Sequence, residues 1–287
     1  MNVMRILILG GDGMLGHRLL LHLRRRHEVR VTLHGTLPEY VRYGLFDASN
    51  TFGGIDIRAH ERIEHVASVF RPEAIINATG IVKQRAESTE SIASIEVNAL
   101  LPHRLALLCG DKGIRLIHMS TDCVFSGKAG NYTEEDVADA DDLYGRTKLL
   151  GEVHKAPCLT FRTSIIGREL SRKTGLLEWF LAQKNSIKGF RNAIFSGFTT
   201  IEMARIIERV LVDYPKASGL YHVSSVPISK YDLLLLVKNK LGLATEIVPD
   251  DIFKCDRSLR STRFQTAFAY TPPPWKAMID ELAASSE

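Results

Sequence analysis

Three glycines spaced three apart, Gly10, Gly13 and Gly16, join the short apolar run Arg5–Leu9 to a helical stretch, Met14–Arg25. A buried strand, a tight glycine turn and a helix in that order open a βαβ unit. Such a unit commits the chain to parallel strands with helices laid over the sheet. The rhythm continues beyond it. Val29–Leu33 and Ala74–Asn77 read as strands, the latter entered through Arg71-Pro72. Ile92–Leu108 has helical spacing, Ile114–Met119 is a fourth strand, Leu143–His154 is helical, and Cys158–Arg162 is a further strand. The fold class is α/β, a doubly wound parallel sheet of the Rossmann type.

After about residue 166 the alternation loosens. Leu176–Gln183, Lys230–Leu241 and Trp275–Leu282 read as helices, and Leu220–Val223 as a short strand. Thr200–Val212 is amphipathic, with Ile201, Ala204, Ile207, Val210 and Leu211 on one face. The expected division is a dinucleotide-binding domain over 1–166, completed by about 196–225, and a smaller interlaced substrate-binding region over 167–195 and 226–287. No repeat, low-complexity segment or Gly/Ser/Pro-rich linker marks a clean boundary.

Composition narrows the partners. With 37 Lys and Arg against 33 Asp and Glu, the net charge is +4, which suits an anionic ligand. The densest basic run, Arg24-Arg25-Arg26-His27, falls at a predicted helix end, where cations complement the dipole, and no groove-reading element accompanies it. No nucleic-acid partner is expected. No uninterrupted apolar run has the 18 or so residues of a spanning helix, and Met4–Leu9 runs into glycines instead of a cleavage site. No membrane partner and a cytoplasmic location are expected. Cys109, Cys123, Cys158 and Cys255 form no Cys-x-x-Cys pair, and the histidines show no ligand spacing, so no metal is expected.

The glycine loop sits where a phosphate-binding turn must sit. Gly10 permits the turn, Gly13 lets a pyrophosphate approach the backbone, and Gly16 lets helix and strand pack closely. Met14 and Leu15 begin the helix, whose free N–H groups favour an anion. At the end of the second strand an acid would hold the ribose hydroxyls of NAD, but Val31-Thr32-Leu33-His34-Gly35 contains none. His34 or Arg42 could pair with a 2′-phosphate there. NADPH is therefore the expected cofactor, with NADH as the alternative. Asp56, in Gly54-Ile55-Asp56-Ile57, reads equally as an adenine contact or a turn residue.

Tyr144 and Lys148 lie four apart on a predicted helix and share a face. Thr121, 23 residues before Tyr144, follows the fourth strand within Met119-Ser120-Thr121-Asp122. Reducing a ketone puts negative charge on its oxygen, so a proton donor and a second hydrogen bond must meet that oxygen. A phenol has an ordinary pKa of about 10, and a nearby ammonium lowers it. Tyr144 is assigned as general acid, Lys148 as its tuner and a ribose ligand, and Thr121 as the hydroxyl that orients the carbonyl.

With these residues in view, the chain resembles an extended short-chain dehydrogenase/reductase, within the dTDP-4-dehydrorhamnose reductase-like group. The resemblance rests on Gly10 to Gly16, Asn77-Ala78-Thr79-Gly80, Ser120-Thr121-Asp122-Cys123-Val124-Phe125, Tyr144-Gly145-Arg146-Thr147-Lys148, Gly151-Glu152, Arg257-Ser258-Leu259 and Arg263-Phe264. It implies reduction of the C4 ketone of a nucleotide-linked 6-deoxy sugar for polysaccharide precursors. It implies that Asn77 to Gly80 line the pyrophosphate and nicotinamide ribose, and that Asn98 is a structural asparagine. It places Arg257 on the nucleotide. Extended members of the superfamily pair through two helices, so a homodimer through Ile92–Leu108 and Leu143–His154 is expected.

Two departures qualify the substrate. Cys123 stands where the reductases usually carry an aromatic and the sugar 4,6-dehydratases a glutamate, which argues against dehydration. Ile81-Val82-Lys83-Gln84 differs from the usual small-residue run, so a UDP-linked sugar is as credible as a dTDP-linked one. Lys83 is the second choice of phosphate ligand after Arg257, ahead of Arg162, Arg168, Arg172, Lys173 and Arg191. Asp122 and Cys123 would border the sugar, and Phe190, Phe195 or Trp179 could stack on the base. Two alternatives stay open: an epimerase of the same fold, and a non-catalytic NADP-binding regulatory subunit like the similar methionine adenosyltransferase beta subunit.

Overall fold

The computed structural model describes residues 3–82, 90–171 and 173–285. It begins with the expected pair, β1 (Arg5–Leu9) and α1 (Met14–Leu23), followed by β2 (Glu28–Thr32), α2 (Leu37–Tyr40), β3 (Thr51–Phe52), α3 (His60–Phe70) and β4 (Ala74–Asn77). A long helical stretch then joins α4 (Ser91–Ser94), a π-helical segment (Ile95–Leu100) and α5 (Leu101–Lys112). Next come β5 (Arg115–Met119), α6 (Leu143–Leu150), β6 (Cys158–Arg162), β7 (Ile165–Ile166), α7 (Leu176–Leu181), β8 (Ile187–Phe195) and β9 (Phe198–Thr199). The chain ends with α8 (Thr200–Asp213), β10 (Gly219–His222), β11 (Ile228–Ser229), α9 (Lys230–Leu241), β12 (Ile247–Asp256), α10 (Thr262–Ala267) and α11 (Trp275–Ala284).

The main sheet has seven strands in the order β10-β6-β5-β4-β1-β2-β3. The ladders from β3 through β2, β1, β4 and β5 to β6 are parallel. Strand order reverses between β1 and β4, and ligands of such sheets bind outside the carboxyl ends at that switch. Leu7, Leu9, Ile75 and Leu116 pack on Ile63, Val66, Leu101, Leu105 and Val153 in one core. Each large side chain so buried contributes roughly 1.5–3 kcal/mol against exposure.

Ser91–Lys112 is, among the described residues, one helix long and apolar enough to cross a membrane by length and composition. Half of its apolar window is buried inside the fold. Pro102, His103 and Arg104 interrupt its apolar residues, which is why no unbroken run stands out in the sequence. On α8, Ile201, Ala204, Ile207, Val210 and Leu211 are all buried, the face read from their spacing.

The chain forms two compact units. The first is Met1–Ser120, Asp142–Phe161 and Ala204–Leu220, and the second is Thr121–Asp141, Arg162–Met203 and Tyr221–Glu287. The first unit leaves out Thr121–Asp141 and takes in Ala204–Leu220, an interruption within the span 1–166. Backbone pairing accounts for the interruption. Tyr132 donates to Ser258 O at 2.9 Å and accepts from Arg260 N at 2.7 Å, while Gly127 O accepts from Asp256 N at 2.8 Å. Within the second unit β8 pairs antiparallel with β11 and parallel with β12, and β7 pairs parallel with β9.

Candidate active site

The glycine loop is fitted onto the end of β2. Gly10 N donates to Thr32 Oγ1 at 3.2 Å, and Gly11 N donates to Thr32 O at 2.9 Å. Gly10 has φ +83°, and a Cβ there would lie 2.9 Å from Thr79 Cγ2. A Cβ on Gly16 would lie 1.9 Å from Gly10 O, so helix and loop touch only because that residue is glycine. Gly13 is different: a Cβ there would meet only Gly10 O, at 3.3 Å, and would otherwise fill open space. That space borders the start of α1, where Met14 and Leu15 open a helix with no side-chain cap and no acid in its first turn. A phosphate can approach this backbone and the positive helix end together, so the loop fits a dinucleotide's pyrophosphate.

On the β4 side, buried Asn77 turns the chain outward. Its Oδ1 accepts from Thr79 N at 3.2 Å and from Thr79 Oγ1 at 2.5 Å, and its Nδ2 faces His118 Nδ1 at 3.1 Å. Ala78, Thr79 and Gly80 follow, partly exposed, beside the glycine loop. His118 was not singled out in the sequence. It is fully buried and held well below the ordinary imidazole pKa, first by burial and then by the Lys148 charge.

Around the end of β2, one of the two expected partners of a 2′-phosphate is otherwise engaged. Arg42 donates to Tyr43 Oη at 2.8 Å and lies 4.9 Å over that ring. His34 is exposed. Asp56 holds Arg58, with Nη2 at 2.7 Å and Nε at 3.0 Å, and the bonds from Arg58 draw its carboxyl down to about 2. Its turn role is therefore occupied, whatever else it contacts. Ile57 packs its side chain on the core.

Helix α6 begins at Asp142, whose carboxylate accepts from Gly145 N at 2.7 Å. Tyr144 is half-buried on its first turn, and Lys148 lies one turn on, 4% exposed. Lys148 Nζ donates to Met119 O at 2.5 Å. Burial pushes its pKa down to about 8, against the opposing pull of Glu152. Glu152 itself accepts from Ser120 Oγ at 2.7 Å. Asn98, in the π-helical segment, accepts from Ile81 N at 2.9 Å and donates to Ile81 O at 3.0 Å and Thr147 Oγ1 at 3.3 Å. A Cβ on Gly151 would lie 2.0 Å from Asn98 O, so α6 is pressed onto that segment.

In the second unit, buried Thr121 caps the short turn Asp122–Val124: its Oγ1 accepts from Cys123 N at 3.1 Å and donates to Asp122 Oδ1 at 3.2 Å. Cys123 is half-buried. Arg257 donates to Phe125 O at 2.8 Å and Ser126 O at 3.2 Å, which fixes the loop after that turn. Arg168 pairs with Glu178, Arg191 with Asp251, and Arg162 with His222. Phe190 packs on Phe253 and Phe195 on Trp275, while Trp179 is 40% exposed. Lys83 and Arg172 lie outside the described residues.

The chain is similar to known proteins over nearly its whole length. It is 30% identical to the dTDP-4-dehydrorhamnose reductase of Escherichia coli strain K12 over 267 residues, which cover 83% of the chain and 89% of the relative. A solved structure of a hypothetical dTDP-4-dehydrorhamnose reductase from Sulfolobus tokodaii superposes with a TM-score of 0.78 at 26% identity, covering 96% and 99% of the two chains. The dTDP-4-dehydrorhamnose reductase of Bacillus anthracis, crystallised with NADP, has the same fold, with a TM-score of 0.79 at 17% identity over 98% and 99%. The family model described as RmlD substrate binding domain matches residues 4–287, and the chain belongs to that family.

Proposed function

We propose that the protein reduces the C4 ketone of a nucleotide-linked 4-keto-6-deoxy sugar, using NADPH, with NADH as the alternative. The observation that carries this reading is the buried Lys148 ammonium on the Met119 carbonyl, one helical turn from Tyr144, in the unit that holds the glycine cradle. The names of the relatives agree with it. The reduced nicotinamide, when bound, supplies a hydride.

The chain's own residues supply the rest. Gly10, Gly13, Met14, Leu15, Gly16 and Asn77 to Gly80 hold the dinucleotide, with His34, Asp56 and Ile57 at its adenosine end. Lys148 binds a ribose hydroxyl and stabilises negative charge on the Tyr144 oxygen. Tyr144 gives its proton to the C4 oxygen, and Thr121 donates a hydrogen bond to that oxygen. Asp122 and Cys123 border the sugar, and Arg257 and Lys83 serve the nucleotide diphosphate. The two Arg257 bonds to the 125–126 carbonyls also give that residue a loop-holding role.

A cytoplasmic homodimer completes the reading. Ile92, Leu107 and Leu150 are 76%, 69% and 65% exposed on the helical segments expected to pair, an apolar surface that a second copy would cover.

The test is coenzyme oxidation with dTDP- and UDP-linked 4-keto-6-deoxy sugars made in situ by 4,6-dehydratases. Turnover should fall about 10²–10⁴-fold in Tyr144→Phe. No turnover with any such sugar, despite dinucleotide binding, would move the reading to an epimerase or a regulatory subunit.

A further inference from the structure

The glycine loop contains one acid, Asp12, between Gly11 and Gly13. Gly11 is pressed onto β2 so closely that a Cβ there would lie 2.5 Å from Val31 Cβ, and its N–H is bound to Thr32 O. The next residue is therefore set beside the end of that strand. Tyr40 confirms the placement. It lies beyond the β2 end, on α2, and its hydroxyl donates to Asp12 Oδ2 at 3.4 Å. The Tyr40 ring stands edge-on to Phe46, with centroids 5.8 Å apart. Burial and the Asp12 charge push the Tyr40 phenol up, so its oxygen keeps the proton that it donates.

An acid beside the end of this strand ordinarily accepts the ribose 2′-hydroxyl of a dinucleotide. Here the strand's own continuation, Thr32-Leu33-His34, has none. Two cations near this edge are engaged: Arg58 is on Asp56, and Arg42 is on Tyr43. Glu39 stands against Gly35, and Asp56 follows Ile55, whose N–H is bound to Leu33 O, so two further anions share this edge.

We propose that Asp12, oriented by Tyr40, reads the 2′ position of the adenosine ribose: its carboxylate accepts a hydroxyl and opposes a phosphate, and so keeps NADH competitive with NADPH. The inference rests on the dinucleotide reading above and adds the residue that ranks the two coenzymes.

Equilibrium binding tests it without any sugar. Dissociation constants for NADH and NADPH are measured from nicotinamide fluorescence in the wild type, Asp12→Asn, Asp12→Glu and Tyr40→Phe. Asp12→Asn should weaken NADH and tighten NADPH, moving the ratio of the two constants by about tenfold or more. Tyr40→Phe should move it the same way by less, and Asp12→Glu, which keeps the charge, should leave the ranking in place. An unchanged ratio in Asp12→Asn, or equal weakening of both coenzymes, would overturn the proposal while leaving dinucleotide binding intact. A wild type that binds neither coenzyme would sink the dinucleotide reading, and this inference with it.

Discussion

Lys148 and Met119 are joined by a buried hydrogen bond, the side-chain ammonium donating to the backbone carbonyl at 2.5 Å. A cation is thereby held at the end of β5 in a place water barely reaches. Its pKa is pushed from 10.5 to about 8 by that burial. Between about pH 8 and 10.5 the unfolded chain binds this proton more tightly than the folded one, so stability rises with pH across that window. The gain is roughly 3 kcal/mol at most. Denaturant unfolding at about pH 7 and about pH 10 should show the rise in the wild type and not in Lys148→Met. Parallel pH dependence in the two proteins would contradict the burial of a charged Lys148.

The Gly16 contact makes a sharper structural prediction. In Gly16→Ala the new Cβ would lie 1.9 Å from a backbone oxygen of the turn, which has no flexible end to move aside. A loss of about 2–3 kcal/mol is expected, with dinucleotide binding weakened more than about tenfold. Gly110, exposed on α5 with nothing within 4 Å of its would-be Cβ, is the control. Gly110→Ala should raise stability by about 0.5–1 kcal/mol. Thermal melts of the two variants should move in opposite directions, and equal shifts would discredit the loop geometry.

His222 predicts the acid limb. It is fully buried, with Nδ1 at 3.0 Å from Tyr132 O and Nε2 at 3.2 Å from Arg162 Nη1. Burial first, then the Arg162 charge, holds its pKa down to about 3 from 6.5. The unfolded chain takes up a proton below about pH 6.5 that the folded chain refuses, so stability is lost as pH falls through that range, by a few kcal/mol. His222→Gln should flatten this part of the curve. Retention of the full acid dependence in the variant would show that the proton goes elsewhere.

Much of the parallel sheet was legible because its strands are buried on both faces. Ala74–Asn77 and Cys158–Arg162 have the same limits in sequence and structure. Lys230–Leu241 also keeps its limits, since Ser229 caps its start and Gly242, at φ +64°, ends it. Strands β8 and β12 were not read, because they pair with each other across a long stretch of chain and β12 carries exposed Ile252 and Phe253. Helix α3 was missed too. It has a narrow buried face of Ile63, Val66, Ala67 and Phe70, and it ends at Arg71, a left-handed residue that is not glycine. The glycine cradle and the Lys148 face followed from local spacing. The division at Thr121–Asp141 did not, because it depends on Tyr132 meeting Ser258 to Arg260 from the other end of the chain. Asp12 stood inside a recognised motif, but only the fold shows that Tyr40 returns to it.

The central claim, net hydride transfer to a sugar carbon, is tested most directly by isotope tracing. The protein is incubated with coenzyme deuterated at the transferring position and with a dTDP- or UDP-linked 4-keto-6-deoxy sugar, and the product is analysed by mass spectrometry and NMR. The account predicts a reduced sugar with one deuterium on C4 per coenzyme oxidised. A sugar of unchanged mass, with the coenzyme still reduced, would contradict it.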